Sequence, residues 1–253
     1  RKHPMLILTA ALIAVLVGSI LQRVSGTGVG LVVAPVLSLL MGPATGVLVT
    51  NAATVCSGFM ITLAVRRMVE WKHAAVLILS AIPGVVLGAL VVRWVPAEWL
   101  QIGVGAVVLL ALAITKFTHT AGQVNQQKAV VPAGLIGGFF NSTAGVAAPA
   151  MVVYSRITNW DQLRFAATMQ PVFMSLGALS VGSKLIAGVH FALPVPVFVA
   201  FGSLIVTIFV GITVGTWLSR RLDKAAAANL AMGLAAVGGV VVMVRGALGL
   251  WLG

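Results

Sequence analysis

Hydroxyl, amide and glycine residues gather at two interruptions of an otherwise apolar chain. The first reads Ser25-Gly26-Thr27-Gly28-Val29-Gly30 and leads into Ala34-Pro35. The second reads Asn141-Ser142-Thr143-Ala144-Gly145 and leads into Ala148-Pro149. Each stops one hydrophobic segment and starts a short new one. A helix that restarts there, after Gly28 or after Thr143, presents unpaired N–H groups and the positive end of its dipole. Such ends hold anions without a buried cation. Ser25, Thr27, Asn141, Ser142 and Thr143 add hydroxyl and amide donors, and Gly26, Gly28 and Gly30 complete the candidate contacts. The chemistry on offer is the coordination of a small oxyanion.

Asn51, Thr54, Thr168 and Gln170 form a second tier, in the segments that follow each break. Their structural alternative is interhelical hydrogen bonding, and Pro171 beside Gln170 frees a backbone carbonyl. Arg164, three residues after Asp161, reads as half of a surface pair, with an anion gate as its functional alternative. Lys184 reads as snorkelling from a helix end to the interface. The four acids, Glu70, Glu98, Asp161 and Asp223, all fall in loops or first turns. That argues against a buried cation cage or a carboxylate proton relay. His3, His73, His119 and His190 read as loop residues without metal-ligand spacing. With no base within reach of Ser25 or Ser142, an intramembrane hydrolase is disfavoured. Cys56, the one cysteine, reads as a packed thiol and excludes an internal disulfide.

The elements that must position these residues are membrane helices. Of 253 residues, 60% are hydrophobic and 8% charged, and mean hydropathy is +1.12. Those values define a polytopic membrane protein. The net charge of +12 is spread over segment ends, which suits the positive-inside rule and lipid headgroups better than nucleic acid. Apolar segments are expected at Pro4–Val24, Val29–Met41, Pro43–Val65, Trp71–Trp94 and Pro96–Thr115. A polar linker from Lys116 to Lys128 follows. Beyond it lie short pieces at Val130–Phe140 and on to Arg156, then Trp160–Lys184, Phe191–Leu218 and Ala225–Trp251.

Ala34-Pro35 recurs as Ala148-Pro149, and Ala52-Ala53-Thr54 as Ala166-Ala167-Thr168, at one common offset. Gly88 and Trp94 recur as Gly211 and Trp217 at a longer one, so the register slips once. The pattern predicts two homologous halves, residues 1–116 and 129–253, joined by a cytoplasmic linker at 117–128. Basic residues are densest at Arg66-Arg67-Lys72 and Arg220-Arg221-Lys224, which places both loops in the cytoplasm. The pieces around Asn141 must then enter and return on one side. The loops Arg66–His73 and Lys184–His190 fall on opposite sides, as in inverted-topology repeats. The fold class is all-α, with about four hydrophobic segments per half and broken or re-entrant helices.

Gly26-Thr27-Gly28-Val29-Gly30 followed by Pro35, the stretch Asn51–Thr54, and Gly137-Gly138-Phe139-Phe140 before the second break resemble the TauE/SafE sulfite exporter family. The likeness covers nearly the whole chain, including the duplication and the central linker. It implies a multi-pass permease of the bacterial inner membrane for sulfite, sulfonates or related anions, and not an enzyme. The second break has fewer glycines than the first, a departure from equal contacts by the two halves. An anion channel is the alternative reading. The implied partners are a small anion and membrane lipid, with proton coupling and a homodimer compatible and no cofactor or nucleic acid.

Overall fold

The computed structural model describes residues 4–25, 29–117, 124–221 and 224–252. Among them are ten α-helices and no strand. In chain order they are α1 (Pro4–Ser25), α2 (Val29–Met41), α3 (Pro43–Val65), α4 (Trp71–Trp94), α5 (Ala97–Phe117), α6 (Gln126–Ala144), α7 (Ala148–Ile157), α8 (Gln162–Ile186), α9 (Val197–Leu218) and α10 (Lys224–Leu252). Seven of these, α1, α3, α4, α5, α8, α9 and α10, are long and apolar enough to cross a membrane. Large apolar side chains on their outer faces, such as Leu79, Phe198 and Val237, are exposed, as lipid contact requires. Exposed Trp71, Trp94, Trp99, Trp217 and Trp251 stand at helix ends, where indoles favour the headgroup level.

Local sequence explains the boundaries. Gly42 adopts φ 83, a conformation that favours glycine, and Pro43 then opens α3 at its first position. Pro196 precedes α9 with φ −52. The segment expected to begin at Phe191 therefore becomes helical only at Val197, past Pro194 and Pro196. The expected linker is shorter than its polar composition suggests. α5 runs to Phe117, and Asn125 caps α6 by accepting the Gln127 N–H at 2.8 Å.

Chain directions follow from close helix contacts. A Cβ at Gly88 would lie 2.7 Å from the Ser142 Cβ, while Gly84 faces Leu135 and Phe139, so α4 and α6 run parallel. Gly211 would meet Ser19 at 2.7 Å and Gly215 would meet Arg23 at 2.8 Å, so α1 and α9 are parallel as well. Ser19 and Ser142 stand at the same longer offset as Gly88 and Gly211. The other large pairings are α5 on α10 and α3 on α8. Ala-for-Gly exchange tests this packing. Gly84→Ala drives a methyl into the Leu135 carbonyl and should lower stability by about 1–3 kcal/mol. Gly103→Ala enters open space and should raise it by about 0.5–1 kcal/mol, read by thermal unfolding in detergent.

The two short helices come back toward their origins. The Val124 N–H donates to the Ile157 carbonyl at 2.8 Å, so α6 starts where α7 ends. Met41, at the end of α2, shares an apolar cavity with Leu8, Ala11 and Leu12 near the start of α1. Following α3 and α4 from Met41 places these two openings on opposite faces of the molecule. The exposed Arg66, Arg67, Lys72, Lys128, Arg220 and Arg221 all gather on the face where α6 and α7 open. We call it the basic face.

Candidate functional site

The second break is displaced from its expected position. Asn141, Ser142 and Thr143 belong to the last turn of α6, and the chain leaves the helix only at Gly145. The physical reason lies in two bonds. The Thr143 hydroxyl donates back to the Phe139 carbonyl at 2.8 Å, which keeps it helical. Gly145, with φ 74, caps the helix by donating its N–H to the Asn141 carbonyl at 2.9 Å. The next helix starts at Ala148 rather than directly after Thr143.

The two breaks touch. A Cβ at Gly30 would collide with the Gly145 carbonyl, so backbone meets backbone at this point. Beside the contact lies a cavity of about 20 Å³ lined by Val29, Gly30 and Leu31 of α2 and by Val146, Ala147 and Ala148 at the start of α7. Thr54, Asn141, Gly145 and Phe173 complete it. The first turns of both short helices therefore converge on one space. Each carries roughly half a positive charge at its N-terminus, and together they favour about one negative charge. One water needs about 10–15 Å³, so this space holds a water but not a multi-atom anion. The site is closed.

A buried polar cluster braces it. The Asn51 Nδ2 donates to the Ser180 Oγ at 2.7 Å and to the Asn141 carbonyl at 3.3 Å. The Asn141 Nδ2 donates in return to the Asn51 Oδ1 at 3.1 Å. Ser180 stands 3.5 Å from the Ser142 Oγ. These four residues tie α3, α6 and α8 together, and all are buried. A reciprocal amide pair with every strong donor engaged is favoured where no water competes.

The other sequence candidates are placed as follows. Thr54 reaches the cavity while its hydroxyl donates to the Thr50 carbonyl at 2.9 Å. Thr168, its repeat mate, lies elsewhere: its Oγ1 accepts the Glu70 N–H at 3.0 Å, at the basic face. Gln170 is buried beside Gly58, its Nε2 donating to the Ala166 carbonyl and its Oε1 without a partner among the described residues. Ser25 ends α1, and Gly26, Thr27 and Gly28 lie outside the described residues, as do His3 and His119. Asp161 accepts the Arg164 backbone N–H at 3.0 Å, while the Arg164 guanidinium reaches Glu70 at 3.6 Å. That pair joins α8 to the start of α4 at the basic face, away from the cavity.

A family model described as sulfite exporter TauE/SafE matches residues 10–244. The chain belongs to the TauE/SafE sulfite exporter family. No curated protein and no solved structure matches it. Membership makes it a multi-pass membrane protein of a transporter family, in keeping with its seven apolar helices.

Two expectations are corrected by the side-chain positions. His73 is not a loop residue but lies in the first turn of α4, bonded to the Tyr154 hydroxyl and against the Trp160 ring at 4.5 Å. Lys184 does not snorkel. It is fully buried, and its Nζ has no hydrogen-bond partner among the described residues. Sequence reasoning also passed over Ser180, Ser19, Gln22 and Ser38, all buried. For α8 a signal existed, because Gly177, Ser180 and Lys184 recur at helical spacing on one face. A Cβ at Gly177 would lie 2.8 Å from the Asn51 carbonyl, so that face meets α3.

Proposed function

We propose that this protein is a secondary transporter of small sulfur oxyanions, sulfite or a compact sulfonate, in a bacterial inner membrane. The observation that carries the reading is the convergence of two short-helix N-termini on one narrow cavity. Anion binding at such ends needs no metal and no carboxylate. Candidate substrate contacts are Gly30, Asn51, Thr54, Asn141 and Ser142, together with Ser25, Gly26, Thr27 and Gly28 of the first break. Thr143, Thr168 and Gln170 belong to the outer part of the path, with Arg164 as a gate at its basic end.

The transport cycle is alternating access between two pseudo-symmetric halves, residues 1–116 and 129–253. Support comes from the exchange of packing partners: α1 on α9 mirrors α6 on α4, and α2 on α10 mirrors α7 on α5. Helix pairs that open on opposite faces suit an inverted repeat. A cavity too small for the anion favours an occluded state over an open channel. The positive-inside rule makes the basic face cytoplasmic.

The test is uptake of radiolabelled sulfite, thiosulfate, sulfoacetate and taurine into proteoliposomes, with and without a pH gradient. Saturable flux of one anion is expected, falling at least about tenfold in Thr27→Val with Ser142→Val, a loss of about 1.4 kcal/mol of binding. Intact protein that carries none of the four would end the proposal.

A further inference from the structure

We propose that Lys184 supplies the positive charge with which the transported anion pairs, one helical turn beyond Ser180 and away from the basic face. The assignment rests on the transport reading above and adds to it a residue and a charge.

Geometry carries the argument. Lys184 shares a face of α8 with Gly177 and Ser180, and this is the face that packs on α3. Helix side chains lean toward their helix N-terminus. A side chain leaning that way from position 184 lies over the turn that holds Ser180. Its Nζ is out of solvent and makes no hydrogen bond among the described residues. A protonated lysine carries three donors and no acceptor, so the group holds its charge here together with acceptor oxygens that a bound anion brings.

Among the described residues, protein groups do not answer that need. Glu70 and Asp161 are at the basic face, the first paired with Arg164 and the second capping α8. Glu98 stands beside Gly246 and Gly249 of α10. Three other cations at helix ends or faces are already engaged. Arg23 donates to Thr216 at 2.8 Å, Arg245 to the Leu39 carbonyl at 2.6 Å, and Arg93 to the Ala187 carbonyl. Lys184 alone among these four has its donors idle.

The ligand class follows from the donors. A compact point charge beside a hydroxyl and an amide fits a small pyramidal or tetrahedral oxyanion better than a flat carboxylate, which favours an arginine fork. An anion leaving the helix N-termini for the face opposite the basic loops meets this charge on its way.

Two measurements test it. First, sulfite flux and sulfite-induced thermal stabilisation are compared in wild type, Lys184→Met and Lys184→Arg. Lys184→Met should fold with an equal or higher thermal midpoint yet bind sulfite about 10- to 100-fold more weakly, while Lys184→Arg keeps most of the affinity. A folded Lys184→Met protein with wild-type flux overturns the assignment. Second, Lys184→Cys is made in a Cys56→Ala background and exposed to two methanethiosulfonate reagents, one bearing a sulfonate and one an ammonium. Faster reaction with the sulfonate reagent, slowed by sulfite, supports an anion path at this position; no preference between the reagents counts against it. If wild type carries none of the sulfur anions, the transport reading fails, while the labelling preference still decides whether an anion path reaches this position.

Discussion

Asn51→Leu should abolish anion flux and lower the thermal midpoint of the purified protein. The substitution removes one side chain and with it three hydrogen bonds. The Asn141 Nδ2 loses its acceptor, Ser180 loses its donor, and the Asn141 carbonyl loses its second bond. An unsatisfied buried polar group costs about 1–3 kcal/mol, although membrane reference states reduce this toward about 0.6–2 kcal/mol. A destabilisation on the order of 2–4 kcal/mol is the expected sum of two such losses. The double variant Asn51→Leu with Asn141→Leu should recover part of that stability, because two apolar partners leave fewer orphans. It should recover none of the flux, since the cavity then lacks its amide. Additive single effects in that cycle would show that the amides do not act as a pair.

The second large effect is expected at the contact between the breaks. Gly30→Ala places a methyl against the Gly145 carbonyl, and backbone on both sides leaves nothing flexible to yield. Overpacking of this kind costs about 1–3 kcal/mol. Borne by the conformational step, that strain slows flux roughly 5- to 150-fold. Gly145→Ala should act more mildly. Its φ of 74 costs a non-glycine residue about 1–2 kcal/mol, but the new methyl meets only side-chain atoms of Ala34 and Thr50 at 3.3 Å. Gly182→Ala, which enters open space, serves as the unaffected control. Proteoliposome flux at matched insertion ranks the three. Wild-type flux in Gly30→Ala would mean that the two breaks separate in the working protein.

Most of the scaffold was legible because membranes impose few choices. An apolar run bounded by Gly-Pro or by charge becomes a helix, and α2, α3 and α4 match the expected ranges end for end. The second break was harder. Asn141, Ser142 and Thr143 look like breakers in a string of letters, yet Thr143 bonds back into its own helix and Gly145 alone makes the turn. Thr54 and Thr168 illustrate a different limit. Their motif repeats in sequence, but only Thr54 reaches the cavity, because Thr168 is taken up by the Glu70 amide. Lys184 was misread for lack of tertiary information. A lysine near a helix end normally reaches water, and only the packing of α3 against α8 shows that this one does not.

The exchange of partners between the two ends of the chain also sets an order of events during synthesis. α1 finds its main partner in α9, and the Arg23–Thr216 bond between them spans 193 residues. At about 5–20 residues per second, the ribosome needs on the order of 10–40 s to supply that partner. Throughout that interval the first helix waits in lipid without the α9 glycine that covers Ser19. The partner of α6 is made beforehand, since α4 precedes it. Biogenesis is thus lopsided: α6 meets its partner as soon as it is made, and α1 lacks its main partner until the last quarter of the chain arrives.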